Sequence, residues 1–421
     1  MSETEPMTVN ERRKYIHKVW ERYRKASKNE KGKLLDEMGA VTGMHRKSII
    51  RLITGRLSRK KRKRERGREY GVEVDDAIRV IAKSLDYPCG ERLQPNLVWM
   101  AEHLMVHHEL SVSEGTLEKL GHISISSVKR ILKRIGRSDA KLAYRKPNRP
   151  HRRRTQDIYP MRIIPWNIVE PGHFETDLVH HCGESTVGEY IHTLQMVDVA
   201  TGWSELTAIF GRSFRVMENG FDFILSRLPF PVKEIHPDNG GEFFNEHLLR
   251  FWSQRIAGLD ISRSRPFKKN DNRFIEENNL SLVRAYVGHG RFDTLAHLMI
   301  LRLLYKKLWL YHNFFQPVLR LQKKVYLNDL QYQRIFDQAH TPFDRLKSTG
   351  ILPENILAQL ETLRAQTNPL LLRSEIDALI TQLLALPVHD NSQSVNIFHS
   401  LIKKEADSSV TLSFEPTASF R

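Results

Sequence analysis

Three stretches decide how this chain folds: HFETDLV at 173–179, HPDNGGEF at 236–243 and NDNRFIEENN at 270–279. In the first, Phe174, Thr176 and Leu178 alternate with Glu175, Asp177 and Val179, the two-residue period of a strand. In the second, Asp238 closes a short extended run, Pro231 to His236, and Asn239-Gly240-Gly241 turns the chain immediately afterwards. In the third, Glu276 lies early in a helical stretch reaching about Tyr286, opened by the turn formers Asn270-Asp271-Asn272. Sixty residues lie between Asp177 and Asp238, and thirty-seven between Asp238 and Glu276. Two strand ends and one helix can thus bring three carboxylates together from distant parts of the sequence.

Such a trio has a chemical use. Hard divalent cations take oxygen ligands, and Mg²⁺ keeps waters beside one or two carboxylates and substrate phosphates. A pair of such ions clamps the attacking and leaving oxygens of an in-line phosphoryl displacement. Any one of these acids alone reads as a solvated, turn or helix-face residue; the combination carries the signal. The region from about 170 to 317 resembles the catalytic core of the retroviral-integrase superfamily, and more closely bacterial insertion-sequence transposases of the DDE type. The resemblance rests on TDLVHHCGEST at 176–186, VDVATGWSE at 197–205, HPDNGGEF at 236–243, SRPFKKNDNRFIEENN at 264–279 and NFFQP at 313–317. Pro237 stands where relatives more often have Ser, and touches no carboxylate. The resemblance implies a ribonuclease H-like fold and a catalytic, metal-binding triad of Asp177, Asp238 and Glu276. It also implies two Mg²⁺ ions, with Mn²⁺ able to substitute, and multimers working on paired DNA ends. Glu277 competes for the third position. Neighbouring helical residues diverge by about 100°, and the motif selects Glu276.

Composition agrees with a DNA-directed protein. The chain of 421 residues is 40% hydrophobic and 27% charged, with a formal net charge of +17. All of the excess is N-terminal: residues 1–160 carry +18 and the remainder −1. A basic front end beside a near-neutral region reads as an anion-binding part, nucleic acid above all. Only Cys89 and Cys182 occur, too few for a disulfide framework or a cysteine-built zinc site. No apolar run reaches membrane-spanning length and no signal peptide is visible, so the expected location is cytoplasmic, at the bacterial nucleoid, with no membrane partner.

The expected organisation is multidomain. All-α helix-turn-helix units come first, then an α/β ribonuclease H-like (integrase) core, then a helical C-terminal extension. Residues 1–55 read as a helix-turn-helix unit. Ile16, Val19, Trp20 and Tyr23 form one apolar stripe, Leu34, Leu35 and Met38 a second, and Ile49, Ile50 and Ile53 a third, with Arg46, Lys47 and Arg51 outside. A basic linker at 56–73 contains RLSRKKRKRERGR, whose Lys60, Lys61, Arg62, Lys63 and Arg64 suit phosphate tracking. A second helical unit at 74–136 ends in TLEKLGHISISSVKRILKRIG. Gly121 reads as its turn, Ser126 as the N-cap, and Lys129, Arg130, Lys133 and Arg134 as residues left for DNA. Another basic linker, 137–165, holds Arg152, Arg153 and Arg154 beside Pro147 and Pro150.

The core at 166–317 reads as strands near 173–180, 190–199 and 203–210, a helix at 213–228, strand 232–236, helix 243–256, strand 259–263 and the Glu276 helix. Lys268 and Lys269, in the loop before that helix, suit a backbone phosphate of bound DNA. His180, His181, Cys182 and Trp203 read as packing residues. An apolar helix follows at 294–312, then an extension at 318–386 with Leu-rich helices near 354–365 and 370–385, and a polar tail at 387–421 with little pattern. The functional expectation is a DNA transposase that binds double-stranded transposon ends, cuts them and joins them to target DNA as a homo-oligomer. The alternatives are a plain metal-dependent nuclease of the same fold and a catalytically inactive DNA-binding regulator.

Overall fold

The structure, a computed structural model, describes residues 7–55, 70–135, 160–162, 164–165, 167–238, 240, 242–265, 272–326, 332–388 and 401. The chain divides into two compact units, Met1–Glu69 and Tyr70–Arg421. The basic residues Lys60 to Arg64, Arg152 to Arg154, Lys268 and Lys269 lie outside the described residues.

The first unit is a three-helix bundle: α1 (Val9–Lys25), α2 (Lys28–Thr42) and α3 (Arg46–Thr54). Its helix starts are written in the sequence. Thr8 with Glu11 and Ser27 with Glu30 form capping boxes on α1 and α2, and Gly43 closes α2 in the left-handed conformation. Ile16, Val19, Leu34, Leu35, Met38, Ile49 and Ile53 make the core, with Trp20 and Tyr23 against it. Ile50, expected inward, is instead exposed; one residue on from Ile49, it is turned about 100° away from the buried stripe.

The second unit is built on a mixed five-stranded sheet with order β3-β2-β1-β4-β5. Its strands are β1 (His173–His180), β2 (Ile191–Asp198), β3 (Ser204–Phe210), β4 (Glu234–Pro237) and β5 (Asp260–Ile261). β1, β2 and β3 run antiparallel, while β4 and β5 join parallel to β1. All of β2 and β3 is buried, because helices cover both faces. Gly220, within α9 (Phe214–Arg227), lets that helix press on the sheet: a Cβ there would sit 2.9 Å from Ile209 and 3.1 Å from Leu194.

The remaining helices are α4 (Val72–Ser84), α5 (Gly90–Leu93), α6 (Leu97–Val106), α7 (Glu114–His122), α8 (Ile125–Ile135), α10 (Glu246–Arg255), α11 (Arg273–Asn278), α12 (Ala285–Val287) and α13 (Leu295–Phe315). They continue through α14 (Pro342–Ser348), α15 (Glu354–Gln366) and α16 (Pro369–Ala385), after a hairpin of β6 (Leu321–Tyr326) and β7 (Tyr332–Phe336). A π-helical turn, Asn279–Arg284, joins α11 to α12. Residues 74–136, read in sequence as a separate segment, share this unit with the sheet. Their buried side chains run into one core with those of the strands and α13. Tyr311 of α13 donates to the Ser84 carbonyl at 2.8 Å, Gln316 to Leu85 at 3.0 Å and Asn96 to Ala339 at 3.1 Å.

The α7–α8 turn falls at Ile123–Ser124, not at Gly121, which is inside α7. Ser124 rather than Ser126 opens α8: its hydroxyl accepts the Ser127 N–H at 3.2 Å, and its carbonyl the Val128 N–H. In the run Ser-Ile-Ser-Ser, every serine offers the same hydroxyl, and the burial of Val128 and Ile131 decides the register. Among the described residues, no helix is long and apolar enough to cross a membrane.

Candidate active site

β1 and β4 are adjacent, and Thr176 pairs with Pro237 in parallel register, so the next residue on each is an aspartate: Asp177 and Asp238. Neighbouring strands lie about 4.8 Å apart. A sequence separation of sixty residues thus becomes one step across a sheet. Both side chains are half-buried. Asp177 accepts the Leu178 N–H at 2.8 Å on one oxygen and the Asn279 amide on the other. Asp238 accepts the Gly240 N–H at 2.8 Å. Gly240 packs close to both acids: a Cβ there would sit 2.8 Å from both the Asp238 carboxylate oxygen and the Glu242 carboxyl carbon. Glu242 is thereby held against the pair, with Arg212 at 4.0 Å on its outer side.

The electrostatics follow from this crowding. Burial, then the neighbouring charge of Asp238, push the Asp177 carboxyl far above the ordinary carboxylate range, against the Leu178 and Asn279 hydrogen bonds. Asp238 is raised as well, by burial and by Glu242, against the Gly240 N–H. The two carboxyls crowd one another, and Glu242 adds to the crowding at Asp238. Oxygen donors are what a hard divalent cation requires, and the residues that could hold Mg²⁺ or Mn²⁺ here are Asp177 and Asp238.

Glu276 is placed differently. It stands exposed on α11, with its N–H on the Asn272 carbonyl at 3.0 Å. Asn279, three residues on and so on the same helical face, is the residue that reaches Asp177. The structure brings the two aspartates together and puts Glu276 one helical turn before Asn279. Among the described residues, it gathers no group of three His, Cys, Asp or Glu side chains as a metal cage. Glu277 is exposed and pairs with Arg92 of α5 at 3.9 Å.

The sequence reading gave no role to Glu175, Asn279, Glu242 or Gln195. Glu175 shares a strand face with Asp177, which its i−2 spacing announces. Its carboxylate is fully buried and accepts the Phe274 and Ile275 N–H groups at 2.8 and 2.9 Å. Burial pushes its carboxyl up to about 7, despite those bonds and the charges of Arg273 and Arg320. Gln195 is the cross-strand partner of Asp177, and both its amide atoms are buried with no partner among the described residues. No sequence signal short of the register could have found it.

The neighbouring histidines are occupied in packing. His181 bonds Thr193 at 2.7 Å, and His180 bonds Tyr190 at 3.2 Å. Trp203 is fully buried, its indole N–H donated to Glu205 at 2.9 Å.

The expected DNA-contacting residues divide. Lys47, Arg51 and Lys133 are exposed, and Arg51 lines a cavity of about 290 Å³ with Arg12 and Arg13. Arg46, Lys129 and Arg134 are not left over for DNA, as the sequence suggested. Arg46 pairs with Asp36, Lys129 with Glu91 and Arg134 with Asp75, because α2, α5 and α4 present acids to their faces. Arg130 folds back onto the Ser126 carbonyl and the Ser127 hydroxyl, both at 3.1 Å. Each of the four side chains is itself exposed, and the Arg46–Asp36 and Lys129–Glu91 pairs, exposed on both partners, are weak and exchangeable.

No family model matches the chain. The uncharacterized protein y4rM of Sinorhizobium fredii (strain NBRC 101917 / NGR234) is 32% identical over 345 residues, spanning 80% of this chain and 95% of that protein. The chain belongs to the family of that protein. Among solved structures, the catalytic core domain of BIV integrase is similar over 42% of this chain and 96% of its own, at 15% identity and a TM-score of 0.29. That likeness is too distant to carry an argument.

Proposed function

We propose that this protein is a DNA transposase of the DDE type, with a ribonuclease H-like core, that cuts the ends of its element and joins them to target DNA. The observation that carries the reading is the parallel register that sets Asp177 beside Asp238, in surroundings that raise both carboxyls. Bound there, Mg²⁺ or Mn²⁺ would activate water, and then a DNA 3′-hydroxyl, and stabilise the leaving 3′ oxygen. Asp177 and Asp238 would hold the cations through their carboxylate oxygens. Asn279 keeps one Asp177 oxygen oriented from the helix side. Glu276 completes the ligand set from α11. No covalent enzyme intermediate is required, so no Ser or Tyr nucleophile takes part.

Lys47, Arg51, Arg130 and Lys133 supply exposed charge for double-stranded DNA, with Lys60 to Arg64, Arg152 to Arg154, Lys268 and Lys269 adding phosphate contacts. Arg46, Lys129 and Arg134 join them by exchanging their carboxylate partners for phosphates. The working form is a homo-oligomer on paired ends.

The test is a Mg²⁺-dependent cleavage and joining assay on DNA flanking the gene, with wild type beside Glu276→Gln. Joined products are expected from the wild type. The variant is expected to lose them by about 10³-fold or more, the several kcal/mol of charge stabilisation a catalytic ion supplies, while end binding is unchanged. Cleavage with no joining would instead mark a nuclease. Tight end binding with neither reaction would favour a regulator and sink the proposal.

A further inference from the structure

The helix that carries Glu276 begins without a cap of its own. Asn272, at its N-cap position, makes no side-chain hydrogen bond to the first turn. The first turn of any helix has N–H groups with no intrahelical acceptor, and leaving them buried and unpaired is costly. Here the acceptor comes from the sheet. One oxygen of Glu175 takes the Phe274 N–H at 2.8 Å and the Ile275 N–H at 2.9 Å, and the carboxylate is fully buried behind them. The Arg273 and Arg320 guanidinium carbons lie 4.7 and 4.5 Å from the Phe274 ring centre, and Ile275 is fully buried. The next residue is Glu276.

The far end of the same turn is fixed too. Asn278 donates to the Ser204 hydroxyl at 2.8 Å, and Asn279 reaches Asp177. Glu175 and Asp177 stand two residues apart on one face of β1, so a single strand grips the helix on both sides of Glu276 through two carboxylates.

We infer that Glu175 is a positioning residue: it docks the start of α11 on β1 and so sets the height of Glu276 over the Asp177–Asp238 pair. Its role is to fix a backbone, not to touch the cation or DNA. The inference rests on the proposed reading of the Asp177–Asp238 pair as the cation site. Outer-shell partners of this kind are typically worth about 10- to 100-fold in metal affinity or activity.

Two variants of the full chain test it. Glu175→Leu removes the acceptor at similar volume, whereas Glu175→Gln keeps a carbonyl oxygen for both N–H groups. Three quantities are compared with wild type: hydrogen exchange of the 273–278 amides, Mn²⁺ affinity by electron paramagnetic resonance, and kcat and KM for cleavage of end DNA. For Glu175→Leu, exchange at Phe274 and Ile275 is expected to rise about tenfold or more, and Mn²⁺ affinity and kcat to fall by about 10- to 100-fold. KM for DNA should stay level. Glu175→Gln is expected to lie within about threefold of wild type on each scale, displaced in the same direction, because a neutral acceptor bonds roughly half as strongly.

Unchanged exchange in Glu175→Leu overturns the inference. So does faster exchange with undiminished Mn²⁺ affinity. If Glu175→Leu does not fold, the small parallel losses in Glu175→Gln decide it, and their absence counts against it. A wild type that binds Mn²⁺ yet neither cuts nor joins DNA removes the transposase reading, while the exchange and affinity scales still decide the role of Glu175.

Discussion

β4 carries a buried acid at one end and another just past its other end, and the two are treated in opposite ways. Glu234 is almost fully enclosed and has an answer for each oxygen. Arg162 Nε lies at 3.0 Å, the Ser262 hydroxyl at 2.5 Å and His173 Nδ1 at 2.8 Å. Burial would raise its carboxyl, but the bonds from His173, Ser262 and Arg162 outweigh burial and hold it down at about 2. Four residues on, Asp238 is raised by burial and by a neighbouring carboxylate. The same contrast holds at the far edge of the sheet, on β3: Glu205, buried among Trp203, Trp309 and Arg227, is matched at every oxygen. Asp177 and Asp238 are instead set side by side in surroundings that raise both carboxyls. The contrast sets Glu234 and Glu205 apart from the Asp177–Asp238 pair, while Glu175, a helix anchor, is raised as well.

The largest expected effect breaks the contrast at its active end. Asp238→Asn is expected to reduce cleavage and joining by about 10³-fold or more, while the cation-free protein unfolds no earlier than wild type. Retained strand transfer in this variant would contradict the assignment. At the structural end the pattern reverses. Glu205→Ala leaves Arg227 and two indole N–H groups without their acceptor, and should cost about 3 kcal/mol or more in urea unfolding. A loss under about 1 kcal/mol would show that the hub around Glu205 is not the anchor the geometry implies.

The pH dependence sharpens the comparison because the two classes have opposite signs. Glu234 is depressed in the folded state, so its contribution is present above an unfolded value near 4.5 and is lost as the pH falls toward 2. Asp177, Asp238 and Glu175 are raised, so theirs is present below the unfolded values and is lost as the pH rises through the folded ones. Thermal unfolding without divalent cation should therefore show declining stability from about pH 4 to about pH 8. In Asp177→Asn, the decline should flatten. The smallest effects belong to the exposed pairs. Lys129→Ala should change stability by less than about 1 kcal/mol and lower the salt slope of DNA binding by about 1. An unchanged slope would remove Lys129 from the DNA interface.

Much of this was legible in advance. Periodicity and motif order located β1 to β5, the helices between them and the aspartates, because a strand's alternation and a Gly-Gly turn act within a few residues. What resisted reading depended on register or on remote partners. Glu175 and Asp177 differ by two positions on one strand, and only the approach of α11 reveals that one takes the N–H groups of its first turn while the other takes the Asn279 amide. Gln195 matters solely because β2 pairs with β1 where it does. Lys129 and Arg134 looked unclaimed because Glu91 and Asp75 are 38 and 59 residues away in sequence. The β6–β7 hairpin was hidden by a basic segment without clean alternation.

The most direct test of the central claim is thermal unfolding of wild type and Asp177→Asn with and without millimolar Mg²⁺, at a pH above the raised carboxyl values. The Asp177–Asp238 pair, if it is a cation seat, gives a wild type that Mg²⁺ clearly stabilises and a variant that Mg²⁺ leaves unmoved. Equal stabilisation of both proteins, or of neither, would contradict the account.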